Sequence, residues 1–156
     1  MLLLSDILHQ MHWIVIVVAC LLCVMAATGS RRRCVVLLVA YLGFILYMTF
    51  VGRGDDETGM KLQLFWSYKR FFRNAILRKE ILNNIWLFVP VGALLYRLLP
   101  KWYVVLIPPI MSLFIEVMQY TMKTGLFEFD DMVSNSLGGL IGMLMCMAIR
   151  LVMKRR

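Results

Sequence analysis

Six polar residues stand inside or at the edges of apolar runs: Arg53, Asn84, Glu116, Gln119, Asp131 and Asn135. Ionisable and amide groups are expensive in such surroundings, and a site or a specific partner is the usual reason for keeping them. Glu116 and Gln119 are three residues apart, Asp131 and Asn135 four apart, so each pair shares one face of a helix. Two chemistries suit this set. Glu116 with Asp130 or Asp131 could act as acid and base, or hold a hard divalent cation through oxygen ligands. Alternatively the set lines a binding pocket, Arg53 meeting phosphate or carboxylate while Asn84, Gln119 and Asn135 hydrogen-bond sugar or peptide groups. No G-x-S-x-G motif offers a nucleophile, and His9 and His12 lie in the N-terminal stub, where an interfacial position accounts for them. Plainer roles stand beside these: Asp130 or Asp131 as an N-cap, Asn84 as another, Glu116 and Gln119 as bonds between helices, Arg53 as a phosphate anchor.

The elements that must position these residues follow from composition. The chain has 156 residues, 62% hydrophobic and 17% charged, with mean hydropathy +0.79. Soluble domains carry about a quarter charged residues. The balance excludes a disordered chain, a soluble enzyme domain and a disulfide scaffold, and predicts a small integral membrane protein. The net charge of +8 then marks cytoplasmic helix ends, with no nucleic-acid partner implied. Cys20, Cys23, Cys34 and Cys146 lie in or beside apolar runs and read as packing; no metal or cofactor set is completed.

Five apolar stretches are candidate spans, near 11–28, 34–51, 84–99, 102–120 and 132–153. The expected architecture is an all-α membrane protein, one domain over 1–156, built as a compact bundle of about five transmembrane helices. Asp6 precedes the first span and Arg31-Arg32-Arg33 follow it, the pattern of an uncleaved anchor with its N-terminus outside and the C-terminus cytoplasmic. Whatever the absolute orientation, the second and fourth spans end where the third and fifth begin. Arg53, Asn84, Glu116, Gln119, Asp131 and Asn135 therefore meet at one leaflet.

Between the second and third spans, Phe65, Trp66, Tyr68, Phe71 and Phe72 interleave with Lys69, Arg70, Arg73, Arg78 and Lys79. This reads as an interfacial segment, aromatics at headgroup depth and cations on phosphates. Lys69 and Lys79 fall near the Phe65/Tyr68/Phe72/Ile76 face, so a helical reading of it is mixed. Gly138 and Gly142 form a small-x-x-x-small pair that allows close approach within the chain or between copies. Pro108-Pro109 should kink the fourth span and Pro90 the third. Arg97 and Arg150 are expected to snorkel to the cytoplasmic interface.

Two segments carry a family resemblance. Asn84-Ile-Trp-Leu-Phe88-Val-Pro90-Val-Gly92 resembles the N-x-x-x-F-x-P-x-G motif of the VanZ-like membrane proteins. Glu116-Val-Met-Gln119, then Asp130-Asp131 and Asn135-Ser-Leu-Gly138 through Gly142, resembles that family's second block. Tyr47-Met-Thr49 through Arg53 and Trp66-Ser-Tyr68-Lys69 are weaker echoes, and the likeness is strongest over 41–142. Many such relatives carry an arginine where this chain has Gly125. The resemblance implies a bacterial plasma-membrane protein linked to glycopeptide (teicoplanin) resistance. Expected partners are membrane lipids and a lipid-linked cell-wall precursor or lipoglycopeptide; a membrane-embedded enzyme acting on such a precursor is the alternative.

Overall fold

A computed structural model describes residues 2–50 and 59–155, with side chains from residue 14 onward. Arg53 and the side chains of His9 and His12 lie outside the described residues. The described residues are predominantly helical. Five α-helices follow in order: α1 (Leu2–Thr28), α2 (Arg31–Phe50), α3 (Ala75–Leu98), α4 (Ile107–Met122) and α5 (Phe129–Lys154). Among the described residues, Arg31–Phe50, Ala75–Leu98, Trp102–Met122 and Phe129–Lys154 are long and apolar enough to cross a membrane, and α1 contains a shorter apolar stretch, Ile14–Thr28. Large apolar side chains such as Val36, Val39 and Ile110 point outward, at 67%, 66% and 66% exposure. Water would penalise that surface; lipid tails do not. The chain is an all-α membrane protein.

Helices without a hydrophobic drive between them associate where small residues let backbones approach. α3 and α5 meet in that way. A side chain at Gly138 would collide with the Ile85 carbonyl, one at Gly142 with the Val89 carbonyl, and one at Gly92 with Gly139. Because 138 pairs with 85 and 142 with 89, the two helices run in the same direction at their crossing. The glycine pair thus packs within the chain. Against the same pair of helices, Ala19, Cys23, Ala26 and Ala27 of α1 pack on Val89, Ala93 and Leu94, with Cys34 and Cys146 completing the layer. The cysteines are free.

Several boundaries differ from the sequence expectation. α3 starts at Ala75, not near Asn84, because Asn74 caps it: its Oδ1 accepts from Ile76 N at 2.9 Å and Leu77 N at 3.2 Å. Asn84 is therefore an interior residue and no cap. Pro108-Pro109 stand at a change of helix type within the span Trp102–Met122. A short 3-10 segment, Trp102–Leu106, precedes them, and they occupy the first turn of α4, where amide protons have no helical partner to lose. Pro90 does lie inside α3, beside Leu87, whose carbonyl accepts from the Tyr41 hydroxyl at 2.9 Å. α5 opens at Phe129 with Glu128 in the N-cap position, so neither Asp130 nor Asp131 is the cap; both sit in the first turn, where the helix dipole favours acids. Arg97 does more than snorkel: its guanidinium donates to the Gly29 carbonyl at 2.9 Å, tying α3 to the α1–α2 turn.

Sequence periodicity did not foresee a two-stranded parallel pairing, β1 (Gly59–Lys61) with β2 (Leu126–Glu128). Lys61 stands opposite Glu128 and Gly59 opposite Leu126. This pairing brings the segment between α2 and α3 against the α4–α5 turn, at the end of the bundle where α3 and α5 begin.

Candidate functional site

The site is built on facing stripes of α4 and α5. On α4, Ser112, Glu116 and Gln119 recur at i, i+4 and i+7, and their exposures are 0%, 2% and 1%. On α5, Asp130, Ser134 and Asn135 are equally enclosed, at 1%, 0% and 5%. Polar groups so deep must find partners. Asn135 Nδ2 donates to Ser112 Oγ at 2.8 Å, joining the two helices. Glu116 Oε2 accepts from the Glu128 amide at 2.8 Å and so fixes the start of α5.

Asp130 reaches across to the segment preceding α3. Its Oδ1 accepts from Phe65 N at 2.5 Å, and its Oδ2 from Ser67 N at 2.8 Å and Ser67 Oγ at 2.6 Å. These charge-assisted bonds clamp the segment onto the bundle. Phe65 is held with φ at 61°, in the left-handed region that non-glycine residues seldom occupy. Ser134 Oγ donates to the Asp130 carbonyl at 2.8 Å, which leaves the Tyr68 hydroxyl to donate to Ser134 Oγ, also at 2.8 Å. Burial pushes the Tyr68 phenol above its ordinary pKa; the Ser134 bond opposes this and the charges of Asp130 and Asp131 add to it. Lys61 completes the closure, 3.2 Å from Glu128 Oε1 and 4.6 Å from the centre of the Trp66 ring.

The structure buries Glu116, Gln119 and Asn135 on the same facing stripes as Asp130, with Asn135 opposite Ser112; Asp131 is half-buried in the first turn of α5 and Asn84 half-buried deeper along α3. Phe88, Pro90, Gly92, Gly138 and Gly142 form the buried seam beneath them. Of the two adjacent acids, Asp130 carries the clamp. The sequence gives no role to Ser67, Ser112 or Ser134 and only an interfacial one to Tyr68, although Ser67 and Tyr68 lie in the Trp66-Ser-Tyr68-Lys69 echo. Ser112 and Ser134 stand one helical turn from Glu116 and Asp130, the signal by which they could have been found.

Among the described residues two buried oxygens here find no hydrogen-bond partner, Gln119 Oε1 and Asn135 Oδ1; Thr124 Oγ1 and Trp66 Nε1 share that condition. Among the described residues no group of three His, Cys, Asp or Glu is arranged to hold a metal ion. A separate open groove of about 480 Å³ runs along α5. Leu64, Val105, Pro109, Phe129, Val133 and Leu140 line it, and none of the predicted polar residues does. No curated protein and no solved structure matches the chain. The VanZ/LLP1 family model matches residues 34–151, a stretch that contains every residue of this site, and the chain belongs to that family.

Proposed function

We propose that the chain is a bacterial plasma-membrane protein that binds an amphiphile headgroup at the outer leaflet and thereby bears on glycopeptide (teicoplanin) susceptibility. The headgroup belongs to a lipid-linked cell-wall precursor or a lipoglycopeptide. One observation carries the reading: Gln119 Oε1 and Asn135 Oδ1 are buried acceptors without donors, on facing helices. Folded proteins pair nearly all such atoms, and hydroxyl or amide donors of a bound headgroup would complete them. Arg53 would meet the phosphate or carboxylate of the same ligand, with Asp131 in the first turn of α5 and Asn84 deeper on α3. The outer-leaflet placement is supported by charge density: Arg97 sits against the short turn that carries Arg31, Arg32 and Arg33 with almost no acid nearby, the pattern favoured in the cytoplasm, while the acids gather at the other end.

The alternative, a membrane-embedded enzyme using Glu116 with Asp130 or Asp131 on the same precursor, has less support, because Glu116 and Asp130 each accept backbone amides as anchors. The test is titration of the full chain in lipid nanodiscs with a lipid-linked precursor. Gln119→Leu with Asn135→Leu should weaken binding about tenfold or more, the cost of one or two lost hydrogen bonds. Unchanged affinity in that double variant and in Arg53→Ala sinks the headgroup assignment; turnover of the precursor that Glu116→Gln abolishes would favour the enzyme.

A further inference from the structure

From residue 59 through 79 the chain has no acidic residue, yet it carries Lys61, Lys69, Arg70, Arg73, Arg78 and Lys79. The ion pair found among the described residues, Lys61 with Glu128, uses only the first. Lys69, Arg70, Arg73 and Arg78 are exposed. They crowd the start of α3, whose first turn has no acid. That is the positive end of the helix dipole, where cations repel and an anion is favoured. Glu80 follows directly in α3, and an external anion offsets what repulsion among the cations remains.

The neighbouring apolar side chains say what kind of anion. Phe72 is 89% exposed and Ile76 70%, with Leu62, Leu64 and Phe65 at 50–53%. A soluble polyanion would leave these in water; the surface of a bilayer accepts both kinds of group at once. The segment is not a loose tether either. The Asp130 clamp, the Tyr68–Ser134 bond and the strand pairing hold it to the bundle, so its cations are pre-positioned. We infer that residues 62–79 form a fixed, cationic and aromatic docking surface for anionic phospholipids, separate from Gln119 and Asn135 and not dependent on them.

The test uses the full chain reconstituted in phosphatidylcholine vesicles with trace spin-labelled phosphatidylglycerol or phosphatidylcholine, read by electron spin resonance. The expected result is a preference for phosphatidylglycerol of about fivefold, corresponding to one cation–phosphate contact at the surface, and its loss in high salt. Lys69→Gln, Arg70→Gln, Arg73→Gln and Arg78→Gln combined should bring the preference close to one. These positions are exposed, and unchanged helicity and melting would show that the fold is retained. Phe72→Ser with Ile76→Ser should keep the preference and make the segment's labelled backbone more accessible to water-soluble quencher. A preference that survives the fourfold variant belongs to the Arg31–Arg33 end and overturns the assignment. Equal affinity for soluble poly(glycerol phosphate) in detergent overturns it in favour of a polymer ligand.

Discussion

Replacing Asp130 with asparagine should unfasten one segment and leave the bundle intact. The carboxylate accepts three hydrogen bonds from residues 65 and 67 while only 1% exposed. Asparagine keeps one acceptor oxygen and places an NH₂ where the other stood, so it faces the Ser67 amide donor to donor. The Ser67 hydroxyl adapts by accepting, but the amide cannot. One charge-assisted bond is lost and a buried donor is left unpaired, together about 3 kcal/mol. That equals about a hundredfold rise in the opening equilibrium of the segment. Amide hydrogen exchange of the chain in nanodiscs, read on peptides from 62–74 and from 85–95, measures this directly. Protection should fall by about two orders of magnitude in the first peptide and hold in the second. Ser67→Ala, which removes only the hydroxyl bond, should cost about 1 kcal/mol and a fivefold change. Unchanged exchange over 62–74 in Asp130→Asn would refute the clamp, and equal loss in both peptides would make Asp130 a core residue instead.

Further outcomes follow from the same contacts. Gly142→Leu should fail to fold or melt far lower than the parent, since its side chain would occupy the place of the Val89 carbonyl, whereas Gly43→Ala, with open space around it, should melt within error of the parent. Gln119→Leu is expected to leave melting unchanged or raise it in ligand-free lipid, because it removes a buried acceptor that has no partner, while weakening precursor binding. Tyr68 has its pKa raised by folding, so the folded state holds the phenolic proton more tightly than the unfolded one. Its contribution is complete below the unfolded value of about 10 and is lost as pH rises through the folded value. Tyr68→Phe should abolish that alkaline slope in the exchange of 62–74 and cost about 1 kcal/mol at neutral pH. Lys61→Met should change melting little, as a 39%-exposed lysine in an ion pair contributes less than about 1 kcal/mol.

The spans were legible because lipid demands long apolar helices, and a pattern of 20 such residues survives local irregularities. The placement of Glu116, Gln119 and Asn135 on facing stripes of α4 and α5 was legible from topology, since antiparallel succession sets the end of one span beside the start of the next. Elsewhere the pattern misled for physical reasons. Arg78, Lys79 and Glu80 look like loop, yet they belong to the first turns of α3, beyond the apolar stretch where charge is tolerated. The β1–β2 pairing joins two three-residue segments far apart in the chain, too short for any periodicity to register. The division of labour between Asp130 and Asp131 depends on which carboxylate faces the 65–67 backbone, a rotation about α5 that adjacent identical residues cannot encode.

Two of the three donors that moor the 65–67 turn are main-chain amides, which every residue but proline supplies. Attachment and surface chemistry are therefore governed by different atoms. Side chains on this face plate can be exchanged, cation for acid or aromatic for serine, while Asp130 still fastens it in the same place. One scaffold with one buried carboxylate could thus present many different surfaces to the membrane without redesigning the bundle underneath.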